Sequence, residues 1–210
     1  MMSLINALPG AVAQGLIWGI MAIGVYLTFR ILDIADLTVD GSLGTGGAVC
    51  IMLMLSGQNV WVAMAGATAA GMAAGLATGI LHTFMGIPAI LAGILTQLGL
   101  YSINLKTMGK ANQAINVDKY DLLVSLRFIR KVPFYKNTIL IVAIAIILLI
   151  VVLYWFFGTE LGCSLRATGC NDKMARAQGI NTDFNRVLGL MISNGLVALS
   201  GAMLCQYQGF

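Results

Sequence analysis

The sequence predicts an all-α polytopic membrane protein, a bundle of about six transmembrane or partly re-entrant helices in a single domain over residues 1–210. Three observations lead there. Hydrophobic residues make up 59% of the chain and charged residues 10%, where a soluble domain carries about 25% charged residues. No Asp, Glu, Lys or Arg occurs between Gly41 and Leu105, a tract long enough for about three crossings of some 20 residues each. A second uncharged run, Ile139 to Phe157, is bounded by polar segments on both sides.

Taken in order, the first span is Pro9–Phe29, closed by Arg30. It is preceded by no basic leader and no small-residue cleavage site, so it reads as a retained helix rather than a signal peptide. Gly41–Leu55 follows and is separated by "SGQN" (56–59) from Val60–Leu81. The breaker "MGIP" (85–88) then introduces Pro88–Leu105. The second and fourth segments are short for a full crossing and can be tilted, broken or re-entrant where protein shields the backbone. Ile139–Phe157 and Arg186–Tyr207 complete the set.

Glycines punctuate these spans at helical spacing. Gly71, Gly75 and Gly79 recur every four residues, as do Gly15 and Gly19. Small residues at that interval let helix backbones approach closely in lipid, and a packing face within one chain is the expected use of both sets.

The composition excludes several function classes. The net charge of +4 comes from basic residues gathered in two loops without interleaved aromatics, so no nucleic acid is expected as a partner. Cys50 and Cys205 lie in apolar segments and act as small hydrophobes. Cys163 and Cys170 have no zinc spacing, so neither a metal nor a disulfide frame is expected. No paired catalytic carboxylates and no Ser–His–Asp grouping occur, and His82 stands alone at the end of the third span, where it reads as an interfacial residue. The phosphate-binding loop G-x-x-x-x-G-K-[ST] is absent. The chain is therefore not expected to be an enzyme.

Two polar stretches remain. In "DLTVDGS" (36–42), Asp36 and Asp40 are four apart, so on a helix they share a face and repel. Either one caps the helix that starts near Gly41, or the pair lines or gates a pathway, since intramembrane acids are commonly functional. In "RATGCNDKMARAQGIN" (166–181), Asn171 can cap a short helix ended by Gly179, giving an element over 171–179. Two turns are too few to be stable alone. Met174 and the neighbouring alanines, with charged shoulders, suit a surface that docks a partner.

The run "GCNDKMARAQGIN" (169–181), followed by a span ending "ALSGAM", resembles the cytoplasmic coupling segment of ABC importer permeases of the ribose and branched-chain-amino-acid type. "DLTVDGS" resembles a D-L-S-V-G-S motif of the same group, with Asp40 as an added residue. "IPAILAGILTQLGLYSINLKTMGKAN" is similar to a subgroup associated with uptake of tryptophan or tyrosine. The resemblance implies a permease that forms the solute path together with a second permease copy, as a homodimer or with a paralogue. ATP would be bound and hydrolysed on separate ATPase subunits, with no cofactor held by this chain, and an extracytoplasmic binding protein would deliver the solute. Asn171, Lys173, Met174, Ala175, Arg176 and Gly179 would carry ATPase coupling, and Asp36 and Asp40 would line or brace the path. The 158–185 loop would then be cytoplasmic and the 106–136 loop extracytoplasmic. That arrangement opposes the bias of basic residues toward 106–136, in a protein of the cytoplasmic (plasma or inner) membrane. Members of this group continue through further spans, so the chain is expected to be a fragment or a shortened member. The competing expectation is a proton- or ion-coupled carrier that uses Asp36 and Asp40.

Overall fold

The computed structural model describes residues 2–110, 113 and 138–209, so the expected extracytoplasmic loop 106–136 lies largely outside the described residues. Eight helices are described: α1 (Met2–Tyr26), α2 (Val39–Leu55), α3 (Val60–Thr83), α4 (Ala89–Met108), α5 (Thr138–Gly158), α6 (Glu160–Cys170), α7 (Asp172–Ala177) and α8 (Thr182–Gln208). α1 continues into a wider π turn over Leu27–Ile31. Five of the helical segments are long and apolar enough to cross a membrane, and α2 is a shorter apolar helix. The protein is a multi-pass α-helical membrane protein.

Each expected span is a helix, although α1 begins seven residues before the expected Pro9 and α8 four residues before the expected Arg186. The two short segments are unbroken helices. α2 is one continuous helix of 17 residues, about 26 Å at 1.5 Å per residue, and α4 is continuous over 20. The 158–185 segment departs from expectation, because it holds α6 as well as the short helix. Thr159 is extended (φ −78°, ψ 164°) and its hydroxyl accepts the Gly162 N–H, which caps α6. Leu165 is buried under the helix. Gly162 lies against the Phe156 carbonyl and Gly169 against that of Ile31, where no Cβ would fit.

α8 is the axis of the bundle, packed by α1, α2 and α3. It meets α1 antiparallel, with side chains bonded to main-chain carbonyls at a seven-residue interval. Tyr207 Oη donates to Gly10 O (2.8 Å), Ser200 Oγ to Ile17 O (2.8 Å) and Ser193 Oγ to Gly24 O (2.7 Å). That interval is the repeat of two helices wound left-handed about each other. α2 runs parallel to α8, with Gly46 against Ala198 and Gly201 against Leu43. α3 runs antiparallel to it through Gly71, Gly75 and Gly79, which abut Asn194 and Ala198, Leu190, and Val187. α5 is the peripheral helix, touching α1 and α6.

The two glycine sets separate here. Gly71, Gly75 and Gly79 form the expected internal seam. At Gly15 and Gly19 a Cβ would meet no atom within 4 Å, so this pair packs against no other helix among the described residues. Spacing is the same in both, and only the neighbour differs.

Candidate functional site

Because the helices alternate in direction, the end of α1, the link 32–38, the α3–α4 turn, α6, α7 and the start of α8 all gather at one end of the bundle. The site is built there. α6, α7 and α8 follow one another with almost no connecting chain, each begun by a capping side chain. After Thr159, Asn171 Oδ1 accepts the Met174 N–H (3.1 Å) and Asn181 Oδ1 accepts the Phe184 N–H (3.1 Å). α7 is stopped by Gly179 at φ +84°, with Ile180 N–H bonded back to Ala175 O (3.1 Å). A β-branched residue would be strained at that φ.

This elbow is braced from both sides. Asn185 of α8 donates from Nδ2 to Thr168 Oγ1 of α6 (2.9 Å). Arg176 ties α7 to α8 by donating to Thr182 Oγ1 (2.6 Å) and Asp183 Oδ1. Asp172 Oδ2 lies 3.5 Å from Arg176 Nε and 3.3 Å from Arg186 Nη2. Against the other side, Gly169 rests on the Ile31 carbonyl. A displacement of α7 therefore pulls on the first turn of α8 and on the end of α1. Between elbow and link lies a cavity of about 500 Å³ bounded in part by Asp33, His82, Thr168, Asp172 and Arg186. His82 itself is bonded through Nδ1 to the Ile87 carbonyl (2.8 Å), which holds the α3–α4 turn closed.

The expected coupling residues divide by exposure. Asn171, Lys173, Met174, Arg176 and Gly179 are exposed, with Met174 58% accessible. Ala175 is 2% accessible and faces inward, so of the Met174–alanine surface expected from sequence Met174 and Ala177 are exposed and Ala175 is not. Ala175 is the residue that seats α7 on the bundle. Sequence reasoning also missed Phe184, an exposed aromatic in the first turn of α8. A large apolar residue directly after the Asn181–Asp183 cap was the available signal.

Asp36 and Asp40 do not share a helix face. Asp36 precedes α2 in the extended link, whereas Asp40 is in its first turn and exposed. Asp36 Oδ1 accepts the Thr38 N–H (2.8 Å), a local turn that starts the helix, and Oδ2 accepts from Asn194 Nδ2 (2.7 Å). Asn194 is fully buried, about 18 Å along α8 from its first residue. Its amide also donates to Leu190 O (3.0 Å) and accepts from Ser42 Oγ (2.8 Å). Thr38 Oγ1 meets Thr78 Oγ1 at 2.7 Å. One carboxylate thus knots α2, α3 and α8 together through neutral groups.

Residues 8–210 match the family model described as branched-chain amino acid transport system / permease component. The chain is 38% identical over 208 residues to a tyrosine transport system permease protein of Clostridioides difficile (strain R20291), covering 98% of this chain and 66% of that protein. It is 35% identical over 207 residues to the uncharacterized protein RP368 of Rickettsia prowazekii (strain Madrid E), covering 98% and 70%. With the autoinducer 2 import system permease protein LsrC of Yersinia pestis (strain Pestoides F) it shares 31% over 194 residues, covering 91% and 52%. The chain thus spans between 52% and 70% of the length of these relatives. No solved structure matches it.

Proposed function

The chain belongs to the family of branched-chain amino acid transport system permease components, and from that premise we propose that it is the membrane subunit of an ATP-driven importer in the cytoplasmic membrane. It pairs with a second permease copy to form the path and receives solute from an extracytoplasmic binding protein. Separate ATPase subunits bind ATP and dock at the elbow. The solute we propose is an amino acid, with an aromatic one favoured by the 38% identity to the tyrosine permease.

The observation that carries this reading is the elbow. α7 is too short to stand alone, yet three side-chain caps and the Arg176 fork hold it rigidly to α6 and α8 while Met174 and Lys173 face outward. An exposed methionine on a braced helix suits a groove in a moving partner. Met174→Asp is therefore expected to cut ATPase co-purification and ATP-dependent uptake at least tenfold, with insertion and thermal midpoint unchanged. Ala175→Asp, by contrast, should lower the midpoint as well, because it buries a carboxylate. Normal uptake by Met174→Asp with the ATPase still bound would remove the elbow from the docking role. Uptake that persists without any ATPase and collapses with the proton gradient would favour the carrier.

The reading also sets orientation. Cys163 and Cys170 are exposed on α6 and are expected to react with a membrane-impermeant maleimide in inside-out vesicles but not in intact cells. Labelling of intact cells would invert the topology.

A further inference from the structure

At the elbow end of the bundle two arginines line one cavity, and neither is paired with an acid. Arg30 lies in the π turn that ends α1, and Arg166 stands in the middle of α6. Gly169 brings them together by seating α6 on the Ile31 carbonyl, one residue from Arg30 and one helical turn from Arg166. The cavity holds about 480 Å³ and is bounded also by Tyr26, Phe29 and Asp33. Arg166 is held in place, because its Nη2 donates to the Phe157 carbonyl at the end of α5 (2.9 Å) and to Cys163 Sγ (3.4 Å). Its Nε and Nη1, and the whole guanidinium of Arg30, have no hydrogen-bond or ion-pair partner among the described residues. Asp33 is the one carboxylate among the lining residues, so two positive charges stand against one negative.

We propose that this cavity holds the phosphate of an anionic phospholipid, such as phosphatidylglycerol, with the acyl chains lying outward over Phe29 and Tyr26. The charge selects an anion, and guanidinium groups grip phosphate through paired N–H donors. The position selects a lipid over a dissolved ion. α1 and α5 both end at this side of the bundle, and each exposes two aromatic side chains there, Tyr26 and Phe29 at the end of α1, Tyr154 and Trp155 at the end of α5. Exposed tyrosine and tryptophan at the end of a span mark the headgroup level. Arg30 directly follows Phe29, so the cavity opens at that level. Basic pockets between the ends of membrane helices suit lipid headgroups. The carboxylate of Asp33 opposes the anion and limits its affinity. Its backbone is left-handed (φ +56°), a conformation that aspartate and asparagine both tolerate, so its charge can be removed without disturbing the chain. Neither observation depends on the proposed ATPase partner or on which side of the membrane the elbow lies.

The test uses the full chain, delipidated in detergent and offered an equal mixture of phosphatidylglycerol and phosphatidylcholine, with bound lipid counted by native mass spectrometry. The expected result is a single phosphatidylglycerol retained per chain in preference to phosphatidylcholine. Arg30→Gln and Arg166→Gln should each reduce that preference roughly fivefold, the effect of one near-surface charge. Asp33→Asn should raise it instead, a gain that damage to the fold does not produce. Lys106→Gln, which removes a cation from the last turn of α4 at the other end of the bundle, should leave it unchanged. Excess inorganic phosphate should not displace the lipid. The site is refuted if the parent shows no preference, if both arginine variants keep it, or if Asp33→Asn lowers it. An equal loss in Lys106→Gln would make the preference one of overall charge and also refute the site. Displacement by inorganic phosphate would show a site for the dissolved ion and overturn the lipid assignment.

Discussion

Gly75→Val is expected to disassemble the bundle. A Cβ at this position would fall on the Leu190 carbonyl, with Leu190 C at 2.7 Å and Met191 Cα at 2.9 Å. All three are main-chain atoms, so no side-chain rotation relieves the clash and α3 must move away from α8. Doing so would also open the seam at Gly71 and Gly79 and separate Thr38 from Thr78. Overpacking of this kind costs about 1–3 kcal/mol where neighbours can yield and more where they cannot. The measurement is the thermal midpoint and monodisperse yield of the solubilised protein. Gly15→Val is the control, identical in residue type but facing open space, and should stay within about 0.5 kcal/mol of the parent. Equal behaviour of the two variants would mean that the α3–α8 seam is not formed as described.

Asn194→Leu should be nearly as damaging, for an electrostatic reason. Leucine is close in volume, so packing is kept, but Asp36 loses its one side-chain partner among the described residues and Ser42 loses a buried acceptor. Losing a hydrogen bond to a charged group costs about 1.5–3 kcal/mol. The sign of the double mutant is diagnostic. Adding Asp36→Ala to Asn194→Leu removes the stranded carboxylate, so the pair should be less destabilising than the sum of the singles, by roughly 0.5–3 kcal/mol. Simple additivity in unfolding experiments would show that the two side chains do not interact.

How much of this was legible beforehand depended on whether a signal is local. Hydropathy located the spans because charge is excluded from lipid wherever a helix lies, and the breakers "SGQN" and "MGIP" divided the uncharged tract into α2, α3 and α4. Caps were legible for the same reason, since Asn171 and Gly179 act on residues a few positions away. α6 was not, because "ELGCSLRATGC" holds two glycines and mixed polarity, and its helix depends on a floor supplied by Phe156, Phe157 and Ile31. The partner of Asp36 lies 158 residues away, beyond the reach of any periodicity. The inward turn of Ala175 depends on the Arg176 fork that rotates α7, and the different fates of Gly15 and Gly75 depend on which helix happens to stand opposite.

The central position of α8 has a consequence for biosynthesis. The helix that satisfies Ser42, Asp36 and the carbonyls of α1 is made after all the helices it holds. Ser42 and Asn194 are separated by 152 residues, which at about 5–20 residues per second is roughly 8–30 s of translation. During that interval α2 carries an acid at its entrance and a groove of bare glycine backbone with nothing to fill it. A nascent chain in this state has reason to stay beside the insertion machinery rather than diffuse into lipid. The contacts of α2 with α8 therefore form late, only once α8 has been made.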